Sequence, residues 1–306
     1  MRMAEPVDRS SVALRGVLRL NEPMAKHVTW RAGGAADRAY VPADGDDLVA
    51  FLASLPEHEL VCVVGLGSNL LVRDGGYRGT VILTHTSHGA TRLEAGLVYA
   101  EAGVACPKVA RFAATQGLEG AEFLAGIPGT IGGALAMNAG CYGSETWDAV
   151  TKVRTVSRSG KKRERFPADY DIRYRHVALR SPAEEEWFLG AWFRFRAGDS
   201  SRARAHIKQL LARRIATQPL GLPNAGSVFR NPPGLHAARL IEACGLKGLA
   251  VGGARISEKH ANFIVNPGGA ARAADIEELI DRARDAVKRH FGVELIPEVE
   301  IVGEAA

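Results

Sequence analysis

Residues 125–143 read Ala125-Gly126-Ile127-Pro128-Gly129-Thr130-Ile131-Gly132-Gly133-Ala134-Leu135-Ala136-Met137-Asn138-Ala139-Gly140-Cys141-Tyr142-Gly143, with six glycines from Gly126 to Gly143 and no large charged side chain. A packed core has little use for so much flexible backbone, because each glycine forfeits side-chain contacts and loses extra conformational entropy on folding. Lining a flat, extended ligand would justify it. An earlier segment, Gly65-Leu66-Gly67-Ser68-Asn69-Leu70-Leu71-Val72-Arg73-Asp74-Gly75-Gly76, follows the apolar run Val61-Cys62-Val63-Val64, which fits a buried strand. Glycines after a strand let the backbone turn sharply and present successive N–H groups to an anion. The spacing is neither the GxGxxG of a dinucleotide fold nor a P-loop. Ser68 and Asn69 add side-chain donors. Alone, this segment fits an unliganded turn equally well; the two together indicate an extended anionic ligand.

The rest of the composition sets bounds. At 306 residues, 46% apolar and 24% charged, the chain has room for two or three globular domains. Glycine, at 34 residues, is in excess. The net charge of +5 is spread among acids, as in Asp281-Arg282-Ala283-Arg284-Asp285, so a nucleic-acid partner is not expected. The N-terminus has no apolar segment of a signal peptide, and no apolar run is long enough to span a bilayer. Cys62, Cys106, Cys141 and Cys244 lie far apart, which predicts free thiols in a reducing cytosol and no metal site. No coiled-coil pattern calls for an oligomer, so a monomer is expected.

Hydrophobic periodicity predicts helices over 43–55, 107–117, 200–216, 235–244 and 273–291. Strands are predicted at 61–64, 80–84, 152–156, 161–166, 187–195 and 263–265, and around 294–301, with a hairpin turn at Ser159-Gly160. The order is mixed α/β followed by α+β. Three parts are expected: an N-terminal extension over 1–20, a first domain over 21–198, and a C-terminal domain over 199–306.

Six ordered motifs carry a resemblance. They are Thr29-Trp30-Arg31-Ala32-Gly33-Gly34, the two glycine-rich segments, Ile172-Arg173-Tyr174-Arg175, Asn224-Ala225-Gly226-Ser227-Val228-Phe229-Arg230-Asn231-Pro232, and Pro297-Glu298-Val299. Together they resemble the UDP-N-acetylenolpyruvoylglucosamine reductases over roughly Asn21 to Gly303. The resemblance implies an α+β fold, in which an FAD-binding domain of the vanillyl-alcohol-oxidase (PCMH) type in two subdomains precedes a C-terminal α+β substrate domain. It implies FAD and NADPH as cofactors, a UDP-sugar as substrate, and reduction of an enolpyruvyl ether to a lactyl ether in peptidoglycan precursor synthesis.

The site residues follow from the same resemblance. Arg175, Ser227 and Glu298 match its catalytic positions. A hydride reaching the enolpyruvyl CH2 leaves negative charge on the neighbouring carbon and its carboxylate. Arg175 suits the carboxylate, since guanidinium is always charged and binds it bidentately. Ser227 can deliver a proton to a strongly basic enolate. Glu298 would share a proton with the substrate carboxylate if burial raised its pKa. Gly65, Gly67, Ser68, Asn69 and Asp74 are expected at the FAD pyrophosphate. Gly126, Ile127, Pro128, Gly129, Thr130, Gly132, Gly133, Asn138 and Gly140 are expected to line the flavin. Asn231 and Lys247 are expected at the substrate. The short interval between Arg175 and Ser227 fits the family's shorter type, without a tyrosine-bearing loop. Two readings stay open beside this one: an FAD-dependent oxidase of the same superfamily, for which Cys141 is a candidate flavin tether, and a non-catalytic nucleotide-binding module.

Overall fold

The computed structural model describes residues 13–85 and 89–306, so most of the expected N-terminal extension lies outside the described residues. Its end does not. Val17–Pro23 is a strand that pairs antiparallel with Ala35–Val41, and Val17–Leu20 therefore belong to the first sheet. That sheet continues in parallel through Tyr77–Leu83 to Val61–Val64. Helix α1 (Gly45–Ser54) covers one side. The Asp44 carboxylate caps it by accepting from the Asp46 and Asp47 N–H groups, and the apolar stripe of Leu48, Phe51 and Leu52 packs inward. Phe51 stacks on Tyr40 at 3.7 Å.

A second, antiparallel sheet runs in the spatial order Lys162–Arg165, Val150–Ser157, Glu186–Phe193, Leu97–Glu101, Thr91–Glu94. Gly160, at φ +79°, makes the predicted turn of its hairpin. Helices α2 (Cys106–Thr115) and α3 (Ile131–Ala136) pack against this sheet in one continuous core. The long helix α4 (Ser200–Thr217) joins the same core through Ala203 and Ile207, so its packing lies with the first part of the chain rather than with the C-terminal part that it was expected to open.

Beyond α4, helices α5 (Ala237–Ala243) and α6 (Ala273–Phe291) pack with the small sheet of Ala250–Val251, Ala254–Ile256 and Ile264–Val265. Of the strand predicted around 294–301, only Glu300–Val302 is regular; Pro297 makes an isolated bridge to Phe229. Proline lacks the N–H that a continuous ladder needs.

Side chains join the two parts. Trp30 is fully buried in the C-terminal core, its Nε1 donating to the Ile264 carbonyl at 2.7 Å, and the Asn266 carboxamide donates back to the Trp30 carbonyl at 2.9 Å. Glu300–Val302 pairs in parallel with Leu70–Val72, within the first glycine-rich segment. Among the described residues no helix is long and apolar enough to cross a membrane, and no group of three or more His, Cys, Asp or Glu is placed to hold a metal ion.

Candidate active site

The two glycine-rich segments meet. A Cβ on Gly65 would lie 2.3 Å from Thr130 Oγ1, and one on Gly129 would stand 3.4 Å from Ser68 Oγ. Gly67 lies at φ +60°, and a Cβ there would come within 2.1 Å of the His27 carbonyl oxygen. The Thr29 N–H and hydroxyl both donate to the Gly67 carbonyl, which explains why the motif at Thr29–Gly34 accompanies the loop. Among the described residues, no main-chain N–H from Gly65 to Asn69, nor that of Gly129 or Thr130, donates to a protein acceptor. Three of those donors, on Gly65, Gly67 and Gly129, carry no side chain. That fits the pyrophosphate of FAD.

Other main-chain N–H groups of the second segment are engaged. The N–H groups of Ile131, Gly132 and Gly133 are already bonded within the protein, the last to the Thr130 hydroxyl that caps α3. Asp74 is engaged by the protein: its two carboxylate oxygens accept from the Ala273 and Ala274 N–H groups at 2.9 Å each. It caps α6 from the opposite part of the chain. An acid suits a helix N-terminus as well as it suits a loop. Asn138 is engaged through its side chain as well. Buried and at φ +46°, it donates through Nδ2 to Glu145 and to the Arg173 carbonyl, and its Oδ1 accepts from the Trp147 N–H. Its side chain is occupied in holding the chain around Arg175.

Arg175 itself lies at φ +53° between the short paired strands Tyr170–Arg173 and His176–Leu179. Its Nε donates to Glu298 Oε1 at 2.7 Å, Nη1 to the Asn138 carbonyl at 3.3 Å and Nη2 to the Gly140 carbonyl at 3.2 Å. The Tyr174 ring faces the guanidinium at 4.8 Å. One cation thus joins the second glycine-rich segment to Glu298. Burial raises the Glu298 carboxyl above its ordinary range, with Arg175 and Arg230 pulling it back down.

Ser227 reaches the same place through the backbone. The Glu298 N–H donates to the Val228 carbonyl at 2.7 Å, and the Arg230 N–H donates to the Ile296 carbonyl at 3.0 Å. The segment carrying Ser227 is therefore fixed against the segment carrying Glu298. Asn262 clamps it from the other side, accepting from the Phe229 N–H and donating to the Phe229 carbonyl. Asn69 closes the circuit, its Nδ2 donating to the Glu298 carbonyl at 2.9 Å and its own carbonyl accepting from the Glu300 N–H. Asn231 and Lys247 have partners of their own. The Asn231 side chain accepts from the Ala237 N–H, and Lys247 pairs with Glu242 beside His260.

Sequence reasoning overlooked Arg214. This half-buried guanidinium has no carboxylate partner among the described residues; it donates to the Gly126 carbonyl and, at 2.7 Å, to Gln218. Burial makes its charge costly. Nothing in the basic helix α4 distinguishes it from its arginine neighbours by sequence alone. Cys141, the candidate flavin tether, is pushed up in pKa by burial, which disfavours the thiolate that a tether needs.

A glycine-rich cradle of unbonded N–H groups, joined to a largely buried Arg–Glu pair, fits a flavin-dependent oxidoreductase. The comparisons agree. Residues 36–164 match the model of an FAD binding domain, and residues 218–302 match that of the C-terminal domain of UDP-N-acetylenolpyruvoylglucosamine reductase. The reductase of Thiobacillus denitrificans is 56% identical over 318 residues, covering 99% of this chain and 98% of the relative. That of Alkalilimnicola ehrlichii is 59% identical over 290 residues, covering 95% and 96%. The crystal structure of the Thermus caldophilus reductase superposes with a TM-score of 0.77 at 32% identity, covering 94% of this chain and 98% of that one. The chain belongs to the UDP-N-acetylenolpyruvoylglucosamine reductase family.

Proposed function

We propose that the chain reduces UDP-N-acetylenolpyruvoylglucosamine to UDP-N-acetylmuramate, with Arg175, Glu298 and Ser227 acting on the enolpyruvyl group. Bound FAD supplies the chemistry of hydride transfer, taking its electrons from NADPH. The protein's part is to hold and polarise. Gly65, Gly67, Ser68 and Asn69, with Gly129 and Thr130, would hold the pyrophosphate, and the backbone of Gly126–Gly140 would line the flavin. Arg175 binds the substrate carboxylate and stabilises the charge that develops beside it. Glu298 contributes a raised-pKa carboxyl at the same carboxylate. Ser227 hands its proton to the α carbon, which suits a weak acid facing a strong base. Arg214, fixed on the Gly126 carbonyl, places a further positive charge at the flavin-lining segment.

One observation carries this reading: a single buried guanidinium bonds both the carbonyls of the flavin-lining segment and the carboxylate of Glu298. Cradle and pair lie in one chain, so a monomer suffices. The four free cysteines suit the cytosol, where NADPH and nucleotide sugars are found. The test is NADPH oxidation by the FAD-loaded protein. It should depend on UDP-N-acetylenolpyruvoylglucosamine and yield UDP-N-acetylmuramate; oxidation at the same rate without that substrate would refute the reading.

A further inference from the structure

Arg202, His206, Leu210 and Arg213 recur at helical spacing on α4 and share one face, distinct from the face that sends Ala203 and Ile207 into the core. That face forms one wall of an open cleft of about 840 Å³. Sites for small molecules commonly occupy about 300–1,000 Å³. No residue lining the cleft belongs to the pyrophosphate cradle or to the group around Arg175.

The charge of the cleft is unbalanced. Arg196 enters it from the short strand pair with Leu118–Glu119, and Arg202 and Arg213 enter from α4. Both carboxylates at the cleft are already engaged. Glu119 accepts from Arg202 Nε and Nη2 at 2.7 Å each and from the Asp199 N–H at 3.0 Å, and Glu122 accepts from the Gly120 N–H at 2.7 Å. Arg196 and Arg213 have no carboxylate partner among the described residues. Arg202 and Arg213 stand about three turns, or about 16 Å, apart along the helix. The two ends therefore differ. At one, Arg196 and Arg202 converge on Glu119; at the other, the charge of Arg213 acts on Tyr142. Paired guanidinium groups suit phosphate, and a single guanidinium beside an aromatic side chain suits a flat ring. Phe123 and Leu210 supply apolar surface.

We propose that this cleft is a second, regulatory site for a nucleotide, with the phosphates on Arg196 and Arg202, the base beside Arg213 and Tyr142, and occupancy felt at the flavin. The coupling is structural. The Tyr142 hydroxyl donates to the Leu210 carbonyl of α4 at 2.7 Å, and a Cβ on Gly126 would come within 2.6 Å of the Tyr142 ring. The Gly126 carbonyl accepts from Arg214, the neighbour of Arg213. A ligand against Arg213 and Tyr142 thus bears on both contacts that position Gly126. The site itself is independent of the function proposed above; the coupling rests on that reading, which puts the flavin against this segment.

Titration of the FAD-loaded enzyme with ADP, by calorimetry and by flavin absorbance, tests the site. One ADP should bind per chain, with a change in the flavin spectrum, and adenosine should bind at least about tenfold more weakly. Arg196→Gln should weaken both ADP and inorganic pyrophosphate at least about tenfold, whereas Arg213→Gln should weaken ADP alone. Each variant should retain FAD and, without ADP, the turnover of the wild type. Absence of ADP binding, or undiminished binding in both variants, would overturn the site. Displacement of ADP by excess UDP-N-acetylenolpyruvoylglucosamine would put ADP in the substrate site and overturn it equally. Equal loss of pyrophosphate binding in Arg213→Gln would overturn the assignment of the two ends. ADP bound with no change at the flavin would overturn the coupling.

Discussion

Arg175 occupies left-handed backbone at φ +53°, a conformation that costs a non-glycine residue free energy unless its surroundings hold it there. Asn138 provides much of that hold, bonding the Arg173 carbonyl with its side chain and accepting from Arg175 with its carbonyl. Asn138→Ala should therefore destabilise the fold by about 1–3 kcal/mol, since buried partners lose their bonds. It should also slow flavin reoxidation by substrate more than flavin reduction by NADPH; equal slowing of both steps would contradict the positioning role. Arg175→Lys should slow substrate-driven reoxidation by about 100-fold or more, because an ammonium cannot serve three acceptors in the plane of a fork. Arg175, Ser227 and Glu298 can be picked out through their motifs, whereas Arg175 by itself reads as one of several cations between Arg173 and His176. The protein partners of Asp74 and Asn138 are not legible in the sequence, for a physical reason. A short acid or amide in a glycine-rich loop can cap a helix, brace a turn or bind a ligand, and only the fold decides.

Among elements, the glycine loops and α6 make the sharpest contrast. Gly67→Ala puts a Cβ within 2.1 Å of a backbone oxygen at φ +60°, so it should abolish FAD retention or folding. Gly221→Ala, with nothing within 4 Å of its Cβ, should leave FAD retention after gel filtration unchanged. Asp74→Ala should lower stability by about 1 kcal/mol through loss of the α6 cap, read by denaturant unfolding, without changing FAD affinity. Weakened FAD binding would restore Asp74 to the cofactor site. The longer helices were legible because an amphipathic stripe repeats over several turns, as in the buried Ile276, Leu279, Ile280, Ala283 and Val287 of α6. Val17–Pro23 was not, since most of its side chains are exposed and its order comes from pairing with Ala35–Val41. The allegiance of α4 was equally hidden: its sequence is basic and amphipathic, and nothing local says which core receives Ala203 and Ile207.

Across the whole molecule, the site exists because the two parts are tied at several points. Trp30 seats in the C-terminal core, Asn69 reaches the Glu298 carbonyl, and Arg73 pairs with Glu277 of α6 at 2.7 Å. Trp30→Ala should cost about 3–5 kcal/mol and weaken substrate binding together with FAD binding, since cradle and catalytic residues share that tie. The central claim is that this joined site passes electrons to an enolpyruvyl group and that Ser227 supplies the proton. Anaerobic stopped-flow mixing of the reduced, FAD-loaded enzyme with UDP-N-acetylenolpyruvoylglucosamine tests it most directly. Flavin colour should return rapidly in the wild type with formation of UDP-N-acetylmuramate. In Ser227→Ala it should return at least about 100-fold more slowly, although NADPH still bleaches that variant normally. Reoxidation at the same rate in both proteins, or in neither, would contradict the account.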